Sequence, residues 1–238
     1  MLELVRRAAR SVLPKVVIKT HMLDREFMAR YIQTKFDRNG ILLEIGAGVY
    51  GGMRASGGGA WFQPGNCVLV EACPQNFALL SKNCPDSRLL NIAVADVSGV
   101  VPFYVVDDPN WAGSSKANTL VEGVLEEKFK RSAKRIDVKA LTLADLFANE
   151  GIDRVELFKI NCEGAEYVIF KNGIECLRNT RFAWLELHGF SRKLNKYIGE
   201  KERIFDTFEA AGFTRIAGAK REHLRDSFAH TMVLFERL

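Results

Sequence analysis

The chain has 238 residues, of which 47% are hydrophobic, 26% charged and 10% aromatic, and its formal net charge is +5. That composition excludes a disordered tail and fits one soluble, folded domain with appendages. Five cysteines with no C-x-x-C pair argue against a disulfide framework or structural zinc, and no apolar run reaches the roughly 20 residues of a spanning helix or forms a signal-peptide core, so a reducing cytoplasm is expected.

The charge is uneven: residues 1–38 hold nine basic and four acidic side chains, and the remaining 200 hold 25 of each. Residues 1–39 therefore read as a basic, helical appendage whose Arg6, Arg7 and Arg10 suit a weak contact with an anionic surface, and residues 40–238 as the main domain. Asp24 is placed to cap a helix carrying Phe27, Met28, Tyr31, Ile32 and Phe36 on one stripe, ended by Asn39-Gly40. Residues 41–45 and 67–70 are short apolar runs, as expected of strands buried on both faces. Pro74 opens a helix, 89–94 reads as a third strand, and 100–106 as an extra one.

Residues 107–135 have weak periodicity and a basic stretch from Lys128 to Arg135. They read as an insertion, helical over 122–131. Thr142 caps a short helix, 155–160 is a further buried strand, 165–171 a helix stopped by Asn172-Gly173, and 182–187 the next strand. A helix through Ile204, Phe205 and Phe208 ends at Gly212, before strands near 213–216 and 229–235. Alternating strands and helices imply an α/β fold, a doubly wound parallel sheet with an antiparallel hairpin at one edge. Ligands in such sheets bind beyond the carboxyl ends of the strands.

Three such ends carry polar chemistry. Glu44-Ile45-Gly46-Ala47-Gly48-Val49-Tyr50-Gly51 satisfies G-x-G-x-x-G directly after a strand, and Glu71 follows 20 residues after Gly51, where a carboxylate takes ribose hydroxyls. Together they point to an adenosine-containing cofactor. A pyrophosphate wants a helix N-terminus without a nearby anion, whereas Glu44 suits the amino group of a methionine, and 52–59 is poor in helix formers. S-adenosyl-L-methionine is therefore favoured over a nicotinamide dinucleotide, which would make the chain an oxidoreductase. A degenerate, non-catalytic interaction module is the third reading.

At the end of 155–160, Asn161, Glu163 and Glu166 surround a glycine turn. Asn161 and Glu163 either line a site or cap the next helix, and Glu166 is expected to face solvent or a local Arg. At the end of 182–187, period-2 alternation puts Glu186 and His188 on one side, so that the carboxylate orients an imidazole able to accept a substrate proton. His21, His223 and His230 have no such setting. No zinc finger, P-loop or RNA-binding aromatic pattern is present, and no nucleic-acid partner is expected.

These segments resemble the FkbM-type S-adenosylmethionine-dependent methyltransferases over about 41–236. The most specific is Phe158-Lys159-Ile160-Asn161-Cys162-Glu163-Gly164-Ala165-Glu166, similar to the family's K-I-D-V-E-G-x-E. Glu44-x-Gly46-Ala47, Val70-Glu71-Ala72-Cys73-Pro74, Asn91-Ile92-Ala93-Val94 before Ser98-Gly99, Thr142-Leu143 before Asp145, and Glu186-Leu187-His188 support it. The resemblance implies a class I fold with seven strands in the order 3-2-1-4-5-7-6, the last antiparallel. It implies O-methylation of a hydroxyl on a sugar, glycan or secondary metabolite.

By motif position, Glu44, Gly46, Ala47 and Gly48 would hold the methionine end, Glu71 and Ala72 the ribose side, and Asn91 and Ala93 the adenine. Asn161 would face the sulfonium, and His188, with Asn161 and Glu163, the acceptor. Asn161 stands where the family carries aspartate, which keeps hydrogen-bonding capacity and removes a charge. No metal site is expected among these residues, and metal dependence and oligomeric state are left open.

Overall fold

The computed structural model describes residues 31, 34–51, 61–108, 117–171, 173–188, 200–224 and 231–237. The seven glycines of 46–59 are described only through Gly51, and His21, His230 and Arg6, Arg7 and Arg10 lie outside the described residues.

Strands β1 (Leu42–Ile45), β2 (Cys67–Val70) and β7 (Val155–Ile160) are buried at every position. They lie in the middle of a seven-stranded sheet with β3 (Arg88–Leu90), β8 (Thr180–Leu187), β9 (Phe213–Gly218) and β10 (Thr231–Arg237), in the order β3-β2-β1-β7-β8-β10-β9. All neighbours are parallel except β10, which is antiparallel to both β8 and β9. Alternation along these strands fills two cores. Leu43, Ile45, Val70, Phe158 and Ile160 meet Phe205 and Phe208 of α5 (Glu200–Ala210) on one face, while Leu42, Leu69, Leu157 and Phe182 meet Leu80 of α1 (Pro74–Asn83) on the other.

Three strands stand apart from this sheet. The expected strand 89–94 is broken at Asn91-Ile92: β3 stays in the main sheet, whereas β4 (Ala93–Val94) pairs with β6 (Ala133–Leu141), which also pairs with β5 (Gly99–Val106). β6 takes over the end of the expected insertion, and the helix within it, α2, is shorter than expected at Val124–Lys128. Thr142 caps α3 (Leu143–Glu150) by accepting from Asp145 N at 3.1 Å, and the chain leaves α3 through Gly151 at φ +60. The helix after β7 is one turn, α4 (Glu166–Ile169), and another, α6 (Arg221–Leu224), separates β9 from β10.

The segment before β1 packs onto the domain at its described end. Tyr31 donates to Glu236 Oε2 at 2.8 Å, and the Phe36 ring lies 4.3 Å from that of Phe182. Among the described residues no helix is long and apolar enough to cross a membrane.

Candidate active site

The carboxyl ends of β1, β2, β3 and β7 open onto a cavity of about 800 Å³. The turn after β1 is tied to β2 by two hydrogen bonds, from Gly46 N and Ala47 N to Val70 O, each 3.0 Å. It also crosses the end of β7 so closely that a Cβ on Gly46, at φ +78, would lie 1.9 Å from Asn161 O. Only glycine fits there. Gly48, at φ +63, faces open space instead, and its N–H donates to Glu71 Oε2 at 2.8 Å.

Glu71 gathers the turn and the start of α1. Its Oε1 accepts from Cys73 N at 2.9 Å and Asn76 Nδ2 at 3.4 Å. Burial pushes its carboxyl up, and the hydrogen bonds from Cys73, Gly48 and Asn76 only partly offset that. Beyond it the wall is apolar, built by Ala72, Ile92, Ala93, Val94, Phe103 and Leu120. Asn91 does not reach this wall, contrary to expectation. Its side chain is drawn back to Glu71 O at 2.8 Å and Ala72 O at 3.3 Å, joining the ends of β2 and β3.

On the cavity floor Lys159 Nζ donates to Glu44 Oε1 at 2.7 Å and lies 3.9 Å from Glu186 Oε1. Burial works against the ammonium, but Glu44 and Glu186 outweigh it and hold the Lys159 pKa above its ordinary value. Glu44 lines the cavity already neutralised by this lysine. A lysine near the end of a buried strand was the available signal for this pair, because a buried ammonium requires a carboxylate. Glu186 Oε2 also accepts from Asn161 Nδ2 at 2.9 Å. Cys162 is beside them, its thiol pushed well up by burial and then by Glu166 and Glu71.

His188 is 3% exposed and stands behind the cavity wall rather than on it. The carboxylates on its two ring nitrogens are Glu166 and Glu163, where Glu186 was expected. Its Nδ1 lies 3.0 Å from Glu166 Oε1 and its Nε2 3.3 Å from Glu163 Oε1, and Glu166 is fully buried instead of facing solvent. A neutral imidazole has one donor, so a ring between two acceptor carboxylates binds a second proton. Burial disfavours that charge, but Glu163 and Glu166 outweigh it and raise the His188 pKa to about 9. The i, i+3 spacing of Glu163 and Glu166 around a turn is the sequence signal for this clamp.

Glu163 is on the cavity wall, in the left-handed region at φ +47 and followed by Gly164 at φ +100. Thr119 Oγ1 donates to Glu163 O at 2.9 Å, so the strained residue is held through its backbone by Thr119 and through its side chain by His188. Backbone strain of this kind costs about 1–3 kcal/mol and persists where the surroundings over-determine it. The expected site residues Glu44, Gly46, Ala47, Gly48, Glu71, Ala72, Ala93, Asn161 and Glu163 thus share one cavity, and Lys159, Phe103 and Leu120 join them unforeseen.

The family model described as the methyltransferase FkbM domain matches residues 52–215. Among solved structures, methyltransferase FkbM from Methylobacillus flagellatus KT is similar at 10% identity and TM-score 0.48, over 84% of this chain and 44% of that one. The chain therefore spans less than half the length of that protein. The Methanococcus jannaschii fibrillarin pre-rRNA processing protein is similar at 10% identity and TM-score 0.43, over 84% and 67% of the two chains. Streptococcus pneumoniae Sp1610 in complex with S-adenosyl-L-methionine follows at 13% identity and TM-score 0.41, over 91% and 73%. No curated protein matches the chain.

Proposed function

The chain belongs to the FkbM methyltransferase family, and from that premise we propose that it transfers the methyl group of S-adenosyl-L-methionine to a hydroxyl of a sugar, glycan or secondary metabolite. The observation that carries the reading is the convergence of a glycine turn, the Glu71 carboxylate and an apolar wall on one cavity. Those features fit the cofactor: Gly48 leaves its side of the turn open, Glu71 suits the ribose hydroxyls, and Ala72, Ala93, Ile92, Val94, Phe103 and Leu120 offer a surface for adenine. Glu44, Gly46 and Ala47 are assigned to the methionine end.

When bound, the cofactor supplies a methyl group on a positively charged sulfur. The residues of this chain supply position and proton acceptance. Glu163 and Asn161 line the cavity with oxygens that accept hydrogen bonds, which suits an acceptor bearing O–H. Because the His188 ring already holds two protons, the carboxylate of Glu163 takes the hydroxyl hydrogen, and His188 acts through it. Holding the acceptor at attack distance contributes most of the acceleration, and proton acceptance typically adds about 10² to 10⁴.

Calorimetric titration with S-adenosylhomocysteine and, separately, NAD tests the cofactor. Binding of the first alone is expected, and binding of NAD alone would overturn the reading. Mass spectrometry of products from hydroxylated and amine-bearing acceptors tests the transfer, and a methyl group found only on nitrogen would overturn the O-methylation.

A further inference from the structure

Of the buried side-chain atoms that find no hydrogen-bond partner among the described residues, one belongs to a residue lining the cavity. Asn161 Oδ1 is buried and accepts no hydrogen bond among the described residues, although the residue lines the cavity. The orientation of that amide is set by its neighbour. Glu186 Oε2 lies 2.9 Å from Asn161 Nδ2, and a carboxylate only accepts, so the NH₂ must face Glu186 and the oxygen must face away from it. Strand register brings the pair together: Ile160 is aligned with Leu185, which sets 161 beside 186. Lys159 holds Glu186 from below at 3.9 Å and is itself paired with Glu44.

A buried acceptor without a donor is costly, and the cost is recovered when a bound molecule brings an O–H or N–H to it. Aspartate at 161 would set a second carboxylate against Glu186 and attract cations, whereas the amide presents an uncharged oxygen. We infer that Glu186 is a positioning residue that orients the Asn161 amide, and that Asn161 Oδ1 receives a neutral O–H or N–H of the methyl acceptor. This rests on the methyltransferase reading above.

The test uses Asn161→Asp, Glu186→Gln and the double variant Asn161→Asp/Glu186→Gln in the full chain. The probe is S-adenosylmethionine carrying a tritiated methyl group, with a polar extract of the cells that make the protein. Label transferred per minute is followed over dilutions of the extract, and the dissociation constant of S-adenosylhomocysteine is measured in parallel. In Glu186→Gln the glutamine oxygen is required on the Lys159 side, which turns its NH₂ onto Asn161 Nδ2 and reverses the Asn161 amide. Each single variant should therefore raise the extract concentration giving half-maximal rate at least tenfold, with the dissociation constant changed less than twofold. The double variant should recover most of that loss, because the amide introduced on β8 then donates to the carboxylate introduced after β7.

If the double variant is no better than Asn161→Asp, or if Glu186→Gln behaves as wild type, Glu186 does not position Asn161. A tenfold weaker S-adenosylhomocysteine complex in Asn161→Asp would assign the oxygen to the cofactor and overturn the acceptor role. A wild-type protein that neither binds S-adenosylhomocysteine nor transfers label would overturn the methyltransferase reading and this inference with it. In the wild type itself, the Asn161 side-chain NH₂ should be protected from hydrogen exchange by Glu186. Fast exchange there would refute the orientation even if a variant fails to fold.

Discussion

Lys159 Nζ lies 2.7 Å from Glu44 Oε1, joining β7 to β1 with side chains 6% and 0% exposed. Both charges have left water, so each depends on the other: removing one partner of such a pair costs about 3–5 kcal/mol, while replacing both is far milder. Lys159→Met is therefore expected to lower stability by about that amount, and Lys159→Met/Glu44→Gln to recover a large part of it, as read by urea denaturation. Equal losses in the single and double variants would show that the ion pair is not what the strand junction depends on.

The clamp on His188 makes stability depend on pH in a defined window. Its folded pKa of about 9 stands above the ordinary value of 6.5. The contribution is therefore fully present below about pH 6.5 and is lost as the pH rises to about 9, with a limit of roughly 3 kcal/mol. The groups facing the ring are Glu163 and Glu166, with Tyr167 donating to His188 O at 2.5 Å and the Cys162 thiol near Glu166. Denaturation at pH 6 and pH 9.5 should show this loss in the wild type and not in His188→Gln.

Two glycines of the same turn are expected to respond differently to alanine. Gly46→Ala drives a Cβ to 1.9 Å from the Asn161 carbonyl oxygen, a backbone atom that cannot yield, so the turn and S-adenosylhomocysteine binding should both be lost. Gly48→Ala meets no neighbour within 4 Å and carries only the left-handed strain of about 1–2 kcal/mol. Thermal melts and calorimetry on both variants separate the effects, and similar behaviour would contradict the packing described.

Glu71→Gln should weaken S-adenosylhomocysteine binding at least tenfold. Besides losing a charged acceptor for ribose hydroxyls, the glutamine NH₂ would face either Gly48 N or Cys73 N, both of which now donate to the carboxylate. Such a donor-to-donor contact costs about 1–3 kcal/mol. Undiminished binding would remove Glu71 from the cofactor site.

The buried strands were legible because burial on both faces leaves a largely apolar run, unbroken in 67–70 and interrupted in 155–160 only by Glu156 and Lys159. β6 was not, because its small sheet buries little: Val138 and Ala140 point inward, while Lys134, Arg135, Asp137 and Lys139 stay exposed, and the first two read as the end of a charged insertion. The glycine turn and Glu71 were found by spacing. The partner of His188 was misread because alternation holds only while a strand continues, and β8 ends at Leu187, so the ring turns to Glu163 and Glu166 instead of sharing the side of Glu186. Asn91 was misplaced for a related reason, since its amide bonds two carbonyls beside it before it can reach inward.

The position of β10 between β8 and β9 also fixes when this sheet can close. β8 and β9 do not pair with each other, and each waits for 231–237 to fill the lane between them. During synthesis the edge of β8 stays open until those residues have left the ribosome, and the Tyr31 contact with Glu236, 205 positions apart, closes a loop that spans most of the chain. Folding of this half of the sheet is thus a late, long-range event, slow by topology and exposed to strand-edge aggregation while it is pending.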